Sequence, residues 1–534
     1  MKAAATPGLT DAEQAAIAPY FTNVDRPVFA LTNLPETVKG ALFARYSRSP
    51  KSLRRLFLDE FFEGVGAGAP TPPGDEVGLA RADRLYQRVF NDYGDDSVAQ
   101  LGGVHLAVED ASNILTKVLE RGRLMAYLEQ STRYIPYTDR RDGAWRYLVP
   151  AELDGHPLRG EYVAVQDEAF EVYARWIEPM QAWFAARHPK SPGDSDGVYR
   201  AAIRAKALDT LRGLLPAATQ SNVGMFGTGQ AYEALLLRLR AHPLAEARTL
   251  ADAMLRELRK VIPAFLTRVD QPERGGAWSA YLAETRERMT ALAARLTDGV
   301  DASLADEVTL VEFDPDGEVK VVAAALYAAS SLPDADAIAL ARRLTPEDRI
   351  AVLRAYVGTR RNRRHKPGRA FERTAYRFDV LTDYGAFRDL QRHRLLTIDW
   401  QRLSAAHGYT QPQAIVDAGG DADWKRVMDR SAALHDALVA AGLIDVAPYA
   451  VSMAYRVRFV MDMNAREAMH VIELRTAPQG HPAYRRVCQR MHRLIDEQAG
   501  HHAIAAAMQF VDHSQVELER LQEERRLEKK RMGR

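Results

Sequence analysis

Apolar and polar residues alternate after Phe371-Glu372. Tyr376, Phe378 and Val380 face one way and Arg377 and Asp379 the other, which predicts a strand with one buried face. Asp383-Tyr384-Gly385 breaks the alternation. Ala386–Gln391 then reads as a short helix, with Arg392-His393-Arg394 at its end. The same order of parts occurs earlier. The turn Tyr93–Gln100 leads to Val104, Leu106 and Val108, which alternate; Ala111–Glu120 has helical spacing and ends in Arg121-Gly122-Arg123. This repeat of turn, strand, helix and R-x-R predicts a tandem duplication. The expected divisions are a module over 1–300, a second over 301–513 and a charged terminal helix over 514–534.

Other stretches fill in the plan. Residues 31–61 and 243–262 carry apolar residues three and four apart, as amphipathic helices do. Glu307–Val322 reads as a hairpin around Pro315-Asp316-Gly317. Residues 64–76 are a Gly/Pro-rich loop, Ala44–Ser49 is an Arg/Ser-rich turn and Asp298–Ser303 is a loop signal. The segment 135–160 carries no clear chemistry. Thr359–Arg369, TRRNRRHKPGR, is a dense basic loop.

Composition narrows the class. The chain has 534 residues, 47% hydrophobic and 27% charged, as a globular protein of several domains would. A net charge of +1 gives no global drive toward nucleic acid or an acidic membrane. Cys488 is the sole cysteine, so no internal disulfide and no cysteine-based zinc site can form. No apolar run is long enough to span a bilayer, and the first 21 residues lack an apolar core; the expectation is a cytoplasmic protein.

Arg392, His393 and Arg394 concentrate hydrogen-bond donors. Two readings stand: a solvated basic helix end that complements the helix dipole, or a grip on phosphate and carbonyl oxygens. Further residues bear on this choice. Arg121-x-Arg123, seven residues, then Ser131 forms a spaced set, and Glu129-Gln130-Ser131-Thr132-Arg133-Tyr134 gives E-Q-S-x-R-Y. Arg212 opens Arg-Gly-Leu-Leu-Pro. In the second half Asn464-Ala465-Arg466 precedes His470, Leu474-Arg475 and His481. With R-H-R, these motifs resemble the flavin-dependent thymidylate synthases over roughly residues 30–260 and 305–510. Two positions depart: Gly122 stands where the first R-H-R would have its His, and Arg402 where the second half would have its Ser. Pro448 also falls where a second Arg212 is expected.

The resemblance implies an α/β (α+β) fold of two helix-rich modules, each with a small mixed sheet. It implies FAD as cofactor, deoxyuridylate as substrate, methylenetetrahydrofolate and NADPH as co-substrates, and a homodimer of the fused chain. It assigns Glu129, Ser131, Arg133 and Arg212 to the nucleotide. It assigns Glu372, Arg392, His393, Arg394, Asn464, Arg466 and His470 to the flavin, and Arg121 and Arg475 to charge developing on the uracil carbonyls. No metal is expected. The surviving motifs are complementary, so each half is expected to serve one ligand, with the Ser131 loop facing the Asn464 helix.

Blander readings stand beside these. Glu129 and Arg133 could be an i,i+4 surface pair, and Arg466 and His470 an exposed polar helix face, with Asn464 and Arg475 on another face. Cys488 lacks an acid–base partner and reads as a small helix-face residue, so ring activation falls to a cofactor. The basic loop is solvated, grips a flavin pyrophosphate or folate tail, or binds nucleic acid; the last lacks interleaved aromatics. The functional rivals are a flavoprotein of this fold without methylation activity and a degenerate nucleotide-binding homologue.

Overall fold

A computed structural model describes residues 9–47, 49–62, 100–301, 306–518 and 520–532. The 93–99 turn and the 64–76 loop lie outside the described residues, as do Arg48 of the Arg/Ser-rich turn and residues 302–303 of the later loop.

The first half runs β1 (Gly103–Ser112), α1 (Asn113–Leu119), β2 (Met125–Glu129), α2 (Arg159–Arg187), α3 (Asp196–Leu211), β3 (Gln220–Thr228), α4 (Gly229–Arg240) and α5 (Ala277–Leu296). The second runs β4 (Val308–Phe313), α6 (Gly317–Ala329), α7 (Pro346–Val357), β5 (Ala375–Asp383), α8 (Tyr384–Leu390), β6 (Thr397–Trp400), α9 (Asp421–Ala440), β7 (Arg456–Asn464), α10 (Ala465–Arg475), α11 (Pro482–Glu497) and α12 (His502–Ala507). A final helix spans Leu521–Met532.

The duplication is visible in matching local chemistry. Ser112 caps α1 by accepting from Leu115 N at 3.0 Å, and Asp383 caps α8 by accepting from Ala386 N at 2.8 Å. Thr228 caps α4 from Ala231 N at 3.3 Å; Asn464 caps α10 from Glu467 N at 2.9 Å. The entry of α1 is tied by Asn113 N donating to Thr219 O at 3.0 Å, and that of α8 by Tyr384 N donating to Tyr455 O at 2.9 Å. β3 and β7 match at one constant offset: Gln220 answers to Arg456, Thr228 to Asn464 and Pro216 to Ser452.

Contacts divide the chain into two compact units. One holds Met1–Glu109, Leu124–Glu129 and Asn222–Val300; the other holds Asp110–Arg123, Gln130–Ser221 and Asp301–Arg534. The first unit carries most of the sheet β1-β3-β2, with β2 antiparallel to β3 from Met125 opposite Gly227 to Glu129 opposite Val223. Its helix α5 buries no side chain, and Trp278, Tyr281, Met289 and Leu296 are exposed on it.

The second unit carries the sheet β4-β5-β7-β6. Every pair in it is antiparallel, so it is not the mixed sheet expected. The alternation on β5 is real: Tyr376, Phe378 and Val380 are fully buried, as are Val457, Phe459, Met461 and Met463 opposite on β7. The predicted hairpin over Glu307–Val322 is corrected. β4 pairs with β5 instead, and Asp316-Gly317 opens α6, because Val319, Val321, Val322 and Ala323 bury a helix surface rather than one strand face. Residues 135–158 are largely irregular and lead into the 29-residue helix α2, which carries Pro179 inside it. Cys488 is buried on α11, and burial pushes its thiol up to about 12, as a small core residue requires.

Within the second unit the two halves are joined backbone to backbone. Pro216 bridges Ser452; Ala217 N donates to Val451 O at 2.8 Å, and Met453 N donates to Leu215 O at 2.9 Å. These are equivalent segments of the two halves, paired about an approximate two-fold. Gly213 fits beneath this seam because a Cβ there would lie 2.9 Å from Trp424 Cη2 and 3.0 Å from the Ala454 Cβ. Gly213→Val is therefore expected to lose about 1–3 kcal/mol by overpacking, read as a lower urea midpoint. An unchanged midpoint would show that the seam is not tightly packed.

Candidate functional site

The turn after β2 and the end of α3 place two first-half arginines in one cluster. Arg133 makes a forked ion pair with Asp209, Nε to Oδ1 at 3.0 Å and Nη2 to Oδ2 at 3.1 Å. It also donates to Tyr484 Oη at 3.2 Å and to Gln479 O at 3.4 Å, on and before α11 of the second half. The i,i+4 pair with Glu129 is thus not formed by Arg133, because β2 ends at Glu129 and an irregular turn follows. Arg212 Nε lies 3.6 Å from Asp209 Oδ1, and its Nη1 lies 3.6 Å from Asp389 Oδ2.

Asp389, at the end of α8, joins this set to the second half. It pairs with Arg392, one turn on, and lies 3.8 Å from Arg475 Nη1. Burial alone would raise both aspartates. Arg133, His481 and Arg212 outweigh it at Asp209 and hold it at about 2; Arg392, Arg475, Arg212 and Arg133 hold Asp389 well below the usual carboxylate range. Burial pushes His481 down to about 3, so it is neutral at physiological pH. Four guanidiniums, Arg133, Arg212, Arg392 and Arg475, therefore face Asp209 and Asp389, with the buried Asp383 also beside Arg212, so cations outnumber carboxylates by one.

A second patch adjoins through Arg475. Its Nε donates to His393 Nε2 at 2.9 Å, which leaves the imidazole proton on Nδ1, 3.7 Å from Glu467 Oε1. His470 completes the patch, its ring centroid 5.5 Å from that of His393. Burial, then Arg475, His470, Arg392 and Lys366, keeps His393 neutral; burial, then Lys366, Arg363, Arg475 and Arg466, brings His470 to about 4. Burial raises Glu467 to about 7 against Lys366 and Arg466. Donor atoms of His393, Glu467 and His470 lie within 4.8 Å of one another, as in a metal-ligand set. The chemistry suits a cation poorly: the His393 Nε2 lone pair already accepts from Arg475, and four cationic side chains surround His470.

The remaining predicted residues fall at several places. Ser131 accepts from Arg133 N at 3.2 Å and shapes the turn. Asn464 is the cap of α10 rather than a residue on one of its faces. Arg466 lies 3.5 Å from Glu372 and donates to Pro367 O at 2.9 Å. It is thus half-buried and engaged, not on a free polar face. Arg394 is exposed. Arg121 pairs with Asp399 at 2.6 Å, both more than half exposed, and lies over Trp400. Arg402 pairs with Asp445 at 3.0 Å in similar exposure. Glu129 is buried at the end of β2, in the first unit, and is the one predicted residue outside the second.

Four central residues had no place in the predicted set: Asp209, Asp389, Glu467 and Tyr484. A signal existed for two of them. Asp209-x-x-Arg212 and Asp389-x-x-Arg392 share the i,i+3 spacing of a helical ion pair. Tyr484 is brought in only by the packing of α11.

Fold and site define a class: a duplicated α+β protein with a buried arginine–aspartate network between its halves. The model of the thymidylate synthase complementing protein family matches the chain twice, at residues 52–264 and 309–499. The chain belongs to that family. It is similar along nearly its whole length to a UPF0159 protein of Chlamydia muridarum (strain MoPn / Nigg), 38% identical over 511 residues, 95% of this chain and 96% of that one. A UPF0159 protein of Thermoplasma acidophilum is 30% identical over 514 residues, 91% of this chain and 97% of that one. A flavin-dependent thymidylate synthase of Mycobacterium sp. (strain KMS) is 31% identical over 182 residues, 34% of this chain and 67% of that one. Among the described residues, no helix is long and apolar enough to cross a membrane.

Glu467 generates a pH prediction. Its folded value lies above the ordinary 4.5, so between about 4.5 and 7 the native state binds more protons than the unfolded chain. Stability is then lost as pH rises through this window, by up to about 3 kcal/mol. Glu467→Gln should melt higher than wild type at pH 8 and equally at pH 4.5, by calorimetry at the two values. A gain of equal size at both would show that burial of Glu467 does not couple to its ionisation.

Proposed function

We propose that this protein is a flavin-dependent thymidylate synthase, converting deoxyuridylate to thymidylate with methylenetetrahydrofolate and NADPH. The observation that carries the reading is Nη2 of Arg212. It is buried and has no hydrogen-bond partner among the described residues, inside a network in which cations outnumber carboxylates. A buried guanidinium N–H without an acceptor is costly, and a phosphomonoester dianion would supply both the acceptor and the matching charge.

Arg133 and Arg212 hold the phosphate and sugar in this reading. Arg475 neutralises charge on a uracil carbonyl, and Asp389 fixes its guanidinium. The patch of His393, Glu467 and His470, with Arg392, Arg466 and Glu372, fits a flavin: its imidazoles are neutral, and Arg475 ties it to the nucleotide arginines. Bound there, reduced flavin would supply the hydride that a cysteine-free route requires, since Cys488 is a buried thiol. The protein's own share is to hold the ring still, stabilise charge and exclude water. In balance, uracil carbon 5 would lose its hydrogen as a proton and take the folate methylene, tetrahydrofolate leaving, and that carbon would become methyl with a hydride that originates on NADPH and leaves NADP+.

We read the two matched regions as modules with divided labour, the first keeping nucleotide groups and the second flavin groups. Arg402, in a surface pair where the motif has Ser, favours the rival of a flavoprotein without methyl transfer.

Purified protein should be yellow, deoxyuridylate should perturb its flavin spectrum, and the gene should rescue a thymidine-requiring strain. Colourless protein would sink the reading. A flavin spectrum that responds to deoxyuridylate without rescue would leave only the rival standing. Arg212→Lys, which keeps the charge and loses the fork, should weaken deoxyuridylate about tenfold or more in that titration while flavin stays bound.

A homodimer is the proposed assembly, supported by the exposed Trp278, Tyr281, Met289 and Leu296 of α5. Light scattering should give twice the mass of one chain. Replacing Tyr281 and Met289 by Glu should halve it, and a wild-type monomer would refute the assembly.

A further inference from the structure

The basic loop 359–369, whose Arg363 and Lys366 act on the imidazole patch, is not a free solvated run. Arg360 is buried and makes a forked ion pair with Glu473 of α10, at 2.7 and 2.6 Å, each side chain 1% exposed. The same guanidinium donates to Ala507 O and to His365 O, both at 2.6 Å. Farther along, Pro367 O accepts from Arg466 Nε at 2.9 Å, and Ala370 N donates to Tyr356 Oη at 3.1 Å. Inside the loop, Asn362 accepts from Arg364 N at 2.9 Å.

These ties lay the loop along one face of α10. Arg466, His470 and Glu473 are spaced i, i+4 and i+7, so they line a single stripe. The loop is tied at both ends of that stripe, to Glu473 through Arg360 and to Arg466 through Pro367 O. Arg363 and Lys366 are the loop cations that act on His470. Lys366 is half-buried; burial lowers it, Glu467 opposes, and Arg466 and Arg363 add to the lowering. Among the described residues neither Arg363 nor Lys366 forms an ion pair. A buried strut thus anchors a loop whose Arg363 and Lys366 repel one another and both act on the neutral imidazole of His470. Such preorganised crowding of cations suits an anion.

We infer that Arg363 and Lys366 of this loop, with Arg466 of α10, form a cradle for a diphosphate, the pyrophosphate of the flavin nucleotide. The inference rests on the flavin reading above and goes beyond it, because the loop lies outside the motifs that carry the family resemblance.

The test is a titration of FAD and of riboflavin, which has the ring without phosphate, by flavin fluorescence. The variants are Arg363→Gln/Lys366→Gln and the charge-keeping Lys366→Arg. FAD affinity should fall about tenfold or more in the double variant and hold within about twofold in K366R. Riboflavin affinity should be the same in all. Unchanged FAD affinity in the double variant would overturn the cradle. So would an equal fall for riboflavin, which would mark a structural loop, or a fall for methylenetetrahydrofolate alone, which would mark a carboxylate tail. Should wild type bind no flavin, the enzyme reading fails separately, and inorganic pyrophosphate followed by calorimetry then decides. Binding lost in the double variant sustains the cradle; no binding to wild type overturns it.

Discussion

The pairing of residues 213–218 with 449–454 constrains everything around the site. Each segment is the counterpart of the other, and each leaves backbone N–H and C=O groups that must be satisfied when buried. By bonding to one another they satisfy both sets at once and fix the two halves in register. Arg212 precedes one segment directly, and the strand leading to α10 follows the other. Groups far apart in the chain meet because two loop segments needed hydrogen-bond partners.

What meets there is expensive to bury. Four guanidiniums and the carboxylates among them lose water, and single ion pairs seldom repay that loss. The network offsets it by sharing: Asp389 serves Arg392, Arg475 and Arg212, and Asp209 serves Arg133 and Arg212. Each carboxylate is held ionised by several cations rather than one. The excess of positive charge is then a property of the folded state and requires no rearrangement when an anion arrives. The neutral patch of His393, Glu467 and His470 is the complement. Burial opposes ionisation of the aspartates and protonation of the imidazoles alike; at Asp389 the arginines outweigh it, while Arg475, joined at His393 by Arg392, adds to it at the imidazoles, so charge and neutrality are produced side by side.

Much of this was legible along the chain. The alternation of Tyr376, Phe378 and Val380 placed β5, the repeat of strand, helix and R-x-R gave the duplication, and the spacing of motif residues named most of the cluster. The failures have local causes. Val319–Ala323 is apolar on consecutive positions, so its period could not separate a strand from a buried helix, and only the space beside β4 and β5 decided for α6. Arg360 looked like its neighbours in TRRNRRHKPGR, since nothing in a run of cations marks the one whose partner, Glu473, lies on a later helix.

Sequence alone determined the elements whose period is unambiguous, such as β5, and the stock of titratable groups, because strand and helix periods, caps and residue types are properties of short stretches. Tertiary structure decided which of those groups are charged and which are neighbours. Ionisation depends on burial and on the field of side chains drawn from both halves. The pairing of Arg133 with Asp209, the proton on Nδ1 of His393 and the reluctance of Glu467 to ionise exist only once the two counterparts are zipped together.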